Sequence, residues 1–298
     1  MAKAAALTHS EIDPVSPDGV HLHPPRPIPE ARVVKPVKRR LRLRDLAPSI
    51  PVIRVIAARD LRVQYKQSAL GPLWLLAQPL GMLGAFTVVF DGVTNVDTGG
   101  VPYPLFGLVG LCVWSYFQMA VATGSEAIVA NSTFLKRVLL PRFALPLASL
   151  FVAGPVLTST LVLTFVGVLV TGNGLPVQAL LLPVALVWLF ALVSGVVAIF
   201  SSLAGVSRDI RGVLPFLLQA GVFLAPVAYP IANAPRGIVW LLAVNPVTGL
   251  IEFWRWCLLG GYQMQVVPVI TSATLTLLVL VLGWRLFARL EVAFADVV

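Results

Sequence analysis

The chain reads ALLLPVALVWLFALVSGVVAIFSSL over residues 179–203, without one charged side chain. About 20 consecutive apolar residues are enough for an α-helix to cross the roughly 30 Å hydrocarbon core of a bilayer. Lipid offers no water to unpaired backbone groups, so a helix, which pairs them internally, is the expected structure. The strict alternation of a membrane-spanning barrel strand is missing. This stretch therefore predicts a transmembrane helix.

Five further stretches of the same kind predict an all-α integral membrane protein with six transmembrane helices. Hydrophobic residues make up 58% of the chain and charged residues 12%, and the mean hydropathy is +0.89, which excludes a soluble globular protein. The other five predicted spans are residues 70–90, 105–126, 144–170, 213–231 and 266–287.

The first 50 residues differ from the rest. They are rich in proline and in charges of both signs, and they contain no long apolar stretch. This composition predicts a disordered tail over residues 1–50, followed by a six-span domain over residues 51–298. The three histidines lie in the tail without thiol or carboxylate patterns, and the two cysteines have no metal-ligand or disulfide spacing, so no metal site is predicted.

The basic residues predict the orientation. Of 22 Lys and Arg, 13 precede residue 70, and most of the others lie in short clusters between apolar runs, which excludes a nucleic-acid partner and is typical of a topology signal. With the tail in the cytoplasm, the connections near Arg142 and Arg208 and the C-terminus are cytoplasmic too. Only Arg236 and Arg255 then lie outside.

Two segments outside the spans have helical patterns. In residues 52–67, Arg59, Arg62 and Lys66 cluster on one helical face opposite the apolar residues, which predicts an N-terminal amphipathic helix at the membrane interface. A simple anchor to anionic lipids would explain the same pattern, although Asp60 on the apolar side does not favour it. The connection over residues 233–265 is rich in tryptophan, and it predicts short external re-entrant helices between the fifth and sixth spans.

The source of energy for transport is constrained by what the sequence lacks. It contains no Gly-rich phosphate loop of the Gly-x-x-x-x-Gly-Lys-Ser/Thr type. A proton or sodium relay would need carboxylates in mid-span, but Asp91, Glu126 and Asp209 all lie at span ends. An ion-driven transporter is therefore disfavoured, and the energy is expected to come from a partner.

Five dispersed segments resemble a known family. Residues 59–74, RDLRVQYKQSALGPLW, followed by Gln78 and Pro79, are similar to the start of the first span in the permeases of polysaccharide-exporting ATP-binding-cassette (ABC) transporters of the ABC-2 type. These permeases handle O-antigen, teichoic acid, capsule and related glycans. The other similar segments, in order, are PYPLF at 102–106, NSTFLKRVLLPR at 131–142, NPVTGLIE at 245–252 and FADVV at 294–298.

The resemblance covers about residues 50–298, and it implies a function. It implies a homodimeric permease that exports lipid-linked polysaccharide across the bacterial plasma (inner) membrane, with both termini cytoplasmic. Two copies of a separate ATPase would bind ATP and Mg²⁺, so this chain itself would bind no cofactor and would not be an enzyme. An exporter of the same architecture that carries a drug or a simple lipid is the alternative, and its path should be more uniformly apolar.

The resemblance also assigns a coupling element. It implies that the connection after the second span is a helix contacting the ATPase, although a basic topology loop would have the same charges. The residues expected to contact the ATPase are Glu126, Lys136, Arg137 and Arg142, with Arg208 and Asp209 as a second, weaker contact. Arg59, Arg62 and Lys66 are expected to attract a pyrophosphate-lipid head group.

Aromatic residues are the candidates for the glycan path, because sugar C–H faces stack on aromatic rings while sugar hydroxyls need polar partners. Packing within the bundle or a position in the interfacial belt explains any single one equally well. The candidates are Phe86, Phe90, Tyr103, Trp114, Tyr116, Phe117 and Tyr229.

An outer gate is predicted at Asn245, Glu252 and Arg255. The acid and the base are spaced i, i+3, so they share a helical face and can pair. A re-entrant anchor is the alternative interpretation of this segment. A membrane-embedded transferase is disfavoured, because it would need clustered acids, whereas Asp91, Asp97 and Glu252 are scattered.

Overall fold

In the computed structural model of the chain, the described residues are 46–65, 73–132, 142–172, 174–235 and 237–291. They form helices joined by turns and loops, and none of them forms a β-strand, so the predicted all-α class is confirmed over these ranges. All of them lie in one compact unit, residues 40–298. Residues 1–45 of the predicted tail lie outside the described ranges.

The described residues form ten α-helices. These are α1 (Leu46–Tyr65), α2 (Trp74–Phe86), α3 (Tyr103–Ala130), α4 (Ala144–Val152), α5 (Gly154–Val170), α6 (Leu182–Val206), α7 (Arg208–Leu224), α8 (Val239–Val244), α9 (Pro246–Leu258) and α10 (Val266–Leu290). A π-helical segment, Thr87–Val93, continues α2, and a 3-10 turn, Val177–Leu181, precedes α6.

Five stretches are long and apolar enough to cross a membrane, and each overlaps one of the predicted spans. They are Trp74–Val93, Tyr103–Ala130, Ala144–Val170, Val177–Val206 and Val266–Leu290. The third contains α4 and α5, and the α-helix is interrupted at Ala153. Pro155 explains the interruption, because it has no N–H to donate to the carbonyl four residues earlier.

The predicted span at residues 213–231 has different bounds in the structure. Helix α7 begins at Arg208, where the Ser207 hydroxyl accepts a hydrogen bond from the backbone N–H of Asp209 at 3.3 Å. It ends at Leu224, because Pro226 disfavours the helical conformation at Ala225, which is extended instead (φ −99°, ψ 135°). Its 17 residues are about 25 Å long, short of the hydrocarbon core on their own.

Helix α3 lies at the centre of the bundle. It packs against α2, α4, α5, α6, α7 and α9, and most of its residues are buried. Helices α6 and α10 pack closely because both carry glycine at the crossing: a Cβ on Gly195 would lie 2.7 Å from the Cα of Leu280. The central position of α3 means that side chains on its surface face several neighbouring helices.

Helix α1 begins at Leu46, inside the predicted tail. Its apolar side chains, including Ile53, Ile56 and Ala57, are buried against Ala144 and Leu145 of α4. The amphipathic face predicted for this segment is therefore covered by the chain's own third span.

The two ends of the bundle can be told apart by the residues found there. Ile128, Phe143, Ala198 and Phe287 form one buried cluster, so α3, α6 and α10 finish at the end where α4 begins, which we call the basic end. At the opposite end, Tyr103 begins α3, and its hydroxyl donates a hydrogen bond to the carbonyl oxygen of Ala228 at 2.8 Å.

Candidate functional site

A groove runs between α2, α3 and α7. It consists of two cavities of about 300 and 360 Å³, which share the side chains of Gln78, Gln118 and Ala122. The first cavity extends to Gln64 on α1, and the second extends to Gln219 on α7. We call this feature the glutamine groove. Its other lining residues are Trp74, Leu75, Pro79, Ser115, Met119, Thr123 and Val156 in the first cavity and Met82, Trp114, Pro215, Leu218 and Val222 in the second.

The glutamine groove reaches the middle of the bundle. Gln118 lies about 18 Å along α3 from Ala130 at the basic end, at a rise of 1.5 Å per residue. Gln219 lies about 16 Å along α7 from Arg208. Both side chains are therefore about half-way along the bundle, where a protein that crosses a bilayer is surrounded by hydrocarbon.

Trp114 forms part of the wall of this groove. Its side chain is buried, and its ring lies 5.4 Å from that of Phe117. A Cβ on Gly221 would lie 2.7 Å from the Trp114 ring, so a glycine is needed for α7 to approach α3 this closely. Of the seven aromatic candidates, Trp114 is the one that lines the glutamine groove.

Four of the other aromatic candidates lie together at the opposite end. The Phe90 ring is 5.9 Å from Phe86, 6.4 Å from Tyr103 and 6.3 Å from Tyr229, between ring centroids. The Tyr229 hydroxyl donates to the carbonyl oxygen of Phe223 at 2.8 Å. This cluster joins α2, the start of α3 and the segment after α7.

Tyr116 is placed in the core of the bundle. It is fully buried, its ring lies 5.6 Å from that of Phe190, and its hydroxyl donates to the carbonyl oxygen of Leu150 at 3.1 Å. The hydroxyl is thus already paired with the backbone. As placed, Tyr116 holds α3 against the third and fourth spans rather than lining the groove.

The predicted pair of Glu252 and Arg255 forms on α9, with 3.6 Å between Oε1 and Nη1, and both side chains are fully buried. The Arg255 guanidinium carbon lies 3.6 Å from the centroid of the Phe106 ring, and Nη2 donates to the carbonyl oxygen of Val227 at 2.7 Å. The Tyr262 hydroxyl donates to Glu252 at 2.8 Å. These contacts tie α9 to α3 and to the segment after α7.

Burial dominates the electrostatics of this cluster. The pKa of Arg255 is lowered, because the effect of desolvation exceeds the opposite effect of the neighbouring Tyr262 and Glu252. Desolvation also raises the pKa of Tyr262. The third predicted gate residue, Asn245, caps α9: its side-chain oxygen accepts from the N–H of Val247 at 3.0 Å, and its amide donates to the carbonyl oxygen of Leu224 at 3.1 Å.

The basic end carries the residues predicted to contact an ATPase and a lipid head group. Arg59 pairs with Asp60 at 2.7 Å and donates a hydrogen bond to the Asn131 side chain at 2.5 Å, which links α1 to the end of α3. Arg142 donates to the carbonyl oxygen of Glu291 at 2.5 Å. The side chains of Arg62, Glu126, Arg208 and Asp209 are exposed, and Lys66, Lys136 and Arg137 lie outside the described residues.

The model of the family described as ABC-2 type transporter matches residues 51–259, from α1 to the end of α9. The chain belongs to the ABC-2 type transporter family. With five helices able to cross a membrane, this ABC-2 type chain is a multi-pass membrane protein.

Several relatives of this ABC-2 type chain are similar over most of their length. The O-antigen export system permease protein RfbA of Klebsiella pneumoniae is 26% identical over 247 residues, which cover 82% of this chain and 93% of the relative. RfbA of Myxococcus xanthus is 24% identical, covering 81% and 93%. The polysialic acid transport protein KpsM of Escherichia coli is 24% identical, covering 81% and 94%.

Sequence reasoning missed Gln118 and Gln219, and it used Gln78 only as part of a motif. A signal was present, because a polar side chain inside a predicted span is expensive in lipid and is by default a candidate functional residue. Carboxylates are missing from the middle of the predicted spans, but amides are present there. Gln78, Gln118 and Gln219 are the Asn and Gln residues within the six predicted spans.

Proposed function

We propose that this chain is the transmembrane permease subunit of an ATP-driven exporter that moves a lipid-linked polysaccharide or similar glycopolymer outward across a bacterial plasma membrane. Family membership supports the permease role. The relatives named for O-antigen export and for polysialic acid transport match nearly their whole length, which supports a polysaccharide as the substrate class.

The observation that carries the substrate class is the lining of the glutamine groove. A path for a drug or a simple lipid should be apolar, whereas a glycan needs amide or hydroxyl partners for its hydroxyl groups and aromatic rings for its C–H faces. Gln78, Gln118, Trp74 and Trp114 supply both kinds of group. The groove thus favours the glycan over the apolar cargo.

Six crossings of the membrane agree with the packing of the described residues. Helices α6 and α10 both finish at the basic end, so the chain has to cross the membrane an odd number of times between the end of α6 and the start of α10. Helix α7 starts at Arg208, just after α6 ends, and Ala228 beyond its last turn contacts Tyr103 at the opposite end. We therefore assign the fifth crossing to α7 together with residues 225–228.

The basic end is the cytoplasmic end in this proposal, because 20 of the 22 Lys and Arg then lie on the cytoplasmic side. The exposed residues Glu126, Arg208 and Asp209 there, with Arg142, Lys136 and Arg137, are proposed to contact two copies of an ATPase that binds ATP and Mg²⁺. The hydrogen bond between Arg59 and Asn131 links α1 to the connection after α3, and this supports the proposal that the two move together. Arg59, Arg62 and Lys66 remain the proposed site for a lipid pyrophosphate.

Two copies of the chain are proposed to enclose the path. Both α2 and α7 carry exposed apolar side chains beside the glutamine groove, including Trp74, Leu80, Phe216 and Leu217. A second copy facing this side would turn an open groove into a closed channel. Helices α8 and α9 would then lie as re-entrant helices at the outer surface, with Asn245, Glu252 and Arg255 at the proposed gate.

Deletion of the gene in its native host tests the proposal. The deletion strain should lose the surface polysaccharide and accumulate lipid-linked glycan in the cytoplasmic leaflet, and a plasmid copy should restore export. Surface polysaccharide at the normal level in the deletion strain, with no intracellular glycan, would contradict the proposed function. Sensitivity to apolar toxic compounds should be unchanged, and a large increase would favour the drug exporter instead.

A further inference from the structure

The amide side chains of the helical bundle are all on one surface. In helices α2 to α10, whose residues the structure describes, the Asn and Gln side chains are Gln78, Gln118 and Gln219. They come from three different helices, and all three line the second cavity of the glutamine groove. Because the three amides come from separate helices and line one cavity, they can contact the same ligand.

These three amides are not used to hold the helices together. None of them makes a side-chain hydrogen bond to another described residue. In the single chain Gln118 is half-buried and Gln78 and Gln219 are exposed, so the three amides are open to a partner outside the chain. At the depth of the hydrocarbon core an amide without a partner costs free energy. A ligand that pairs with the amides would remove that cost.

We propose that Gln64, Gln78, Gln118 and Gln219 form a hydrogen-bonding track for a neutral, hydroxyl-rich chain, leading from the interface helix α1 to the middle of the membrane. This assignment rests on the proposed function and specifies its cargo-binding residues. The two cavities share Gln78 and Gln118, so the track is continuous from Gln64 on α1 to Gln219 on α7.

The chemistry of the lining selects this class of ligand. An amide both donates and accepts, as a sugar hydroxyl does, so each glutamine can pair with a hydroxyl in either sense. Trp74 and Trp114 add ring surface for the C–H faces of a sugar. Among the described residues, no Asp, Glu, Lys or Arg lines either cavity, which disfavours an ion or a charged head group at the depth of Gln118 and Gln219.

Neutral contacts also suit movement along the track. Each amide–hydroxyl hydrogen bond contributes only about 1 kcal/mol net, so a chain can exchange one glutamine for the next without a deep energy minimum. A charged contact in the same low-dielectric setting would be roughly twice as strong and would slow release. The track therefore holds a polymer while allowing it to advance.

The test combines leucine substitutions at Gln78, Gln118 and Gln219 in the full-length transporter in its host. Each single change should lower the export of the host's surface polysaccharide per transporter by about fivefold, and the triple change by more than tenfold. Transporter abundance, ATPase binding and self-association should be unchanged, because leucine is similar to glutamine in size, is as good a helix former, and replaces an amide that makes no side-chain hydrogen bond to another described residue. Gln178→Leu is the matched control: Gln178 lies in the 3-10 turn before α6 and outside the groove, and its replacement should leave export normal.

The outcomes separate the track from the function it rests on. Normal export by the triple variant would overturn the track while the proposed function stands, whereas a wild-type chain that exports no polysaccharide would refute the function itself. A triple variant that no longer self-associates would identify the amides as contacts between two copies and overturn the track. If the triple variant is absent from the membrane, the single variants decide: normal export by all three would overturn the track.

Discussion

Arg255 and Glu252, one helical turn apart on α9, form an ion pair from which solvent is fully excluded. Their separation of 3.6 Å is at the long end for such a pair, and Nε and Nη1 of Arg255 have no hydrogen-bond partner among the described residues. The attraction between two buried charges only partly offsets their desolvation. Each charge nevertheless depends on the other, because either one alone would be buried without compensation.

Single replacement of either partner should destabilise the protein strongly. We expect Glu252→Ala or Arg255→Ala to cost about 3–5 kcal/mol, which would appear as low abundance and a lower thermal midpoint in detergent. The double variant Glu252→Leu with Arg255→Met should recover most of the loss, since it removes both charges and fills their volume. Single variants as stable as the wild type would contradict the buried pair.

The gate hypothesis needs a milder substitution than alanine at this pair. Tyr262→Phe removes the hydroxyl that donates to Glu252 and leaves both charges in place. If α9 opens during export, this change should alter basal ATPase activity and export while abundance remains within twofold of normal. Unchanged export per transporter would favour a re-entrant anchor over a gate.

Gly110 marks the closest approach of α3 to the Arg255 cluster. A Cβ at Gly110 would lie 2.6 Å from the carbonyl oxygen of Val227 and 3.1 Å from the Arg255 guanidinium. Gly110→Ala should therefore displace the acceptor of Arg255 and cost about 1–3 kcal/mol. The control is Gly84→Ala in α2, where a Cβ meets no atom within 4 Å and which should be neutral or slightly stabilising. Equal thermal midpoints for the two variants would contradict this packing.

The connection after α3 is expected to transmit motion from the ATPase. Lys136→Glu with Arg137→Glu should weaken ATPase association at least tenfold, since a lost charge contact at an interface costs about 2–5 kcal/mol. Membrane insertion should be normal. Arg285→Glu, an exposed base on α10, is the control for charge reversal alone, and it should bind the ATPase normally. If the double variant binds the ATPase and exports glycan as well as the wild type does, the coupling role of this connection is contradicted.

Cysteine labelling tests the orientation. Because Cys112 and Cys257 are buried, and burial raises the pKa of Cys257 to about 11, the native thiols should give little background. An impermeant reagent added outside intact cells should label Gln263→Cys and leave Ser132→Cys unlabelled. Gln263 is preferable to Asn245, which caps α9. External labelling at Ser132→Cys would contradict the predicted orientation and indicate the opposite one.

Glu291 should make stability depend on pH. Burial raises its pKa, and Arg142 partly offsets this, so the folded state favours the protonated carboxyl. As pH rises from about 4.5 through the raised pKa, the wild type should lose stability relative to Glu291→Gln. The variant keeps the bond from Arg142, which uses the backbone carbonyl. If the thermal midpoint of the wild type instead rises relative to that of Glu291→Gln as pH increases, this burial is contradicted.

Most of the fold could be predicted from the sequence because long apolar runs identify spans almost by themselves. The runs that contain α3, α6 and α10 are examples, and five of the six predicted spans overlap helices of sufficient length. The end of α7 was harder to predict, because residues 213–231 carry no charge and are apolar on average, and hydropathy does not register the conformational restriction that Pro226 places on Ala225.

The candidate site was less predictable, because periodicity gives the face of one helix and not the identity of its neighbours. The pair of Glu252 and Arg255 could be predicted, since both partners lie on a single helix. Gln78, Gln118 and Gln219 are far apart in sequence and meet only when α2, α3 and α7 pack. The same limit applied to Tyr116, whose aromatic character was evident but whose position in the core was not.

Transport in vesicles tests the central claim most directly. The chain, reconstituted with its ATPase into liposomes that contain lipid-linked polysaccharide from the host, should move the glycan across the bilayer only when ATP is present. The measurement is the fraction of glycan that becomes accessible to a glycosidase on the far side. We predict ATP-dependent accessibility for the wild type and none without the ATPase. Active ATP hydrolysis with no movement of the glycan, and movement of an apolar dye instead, would contradict the account.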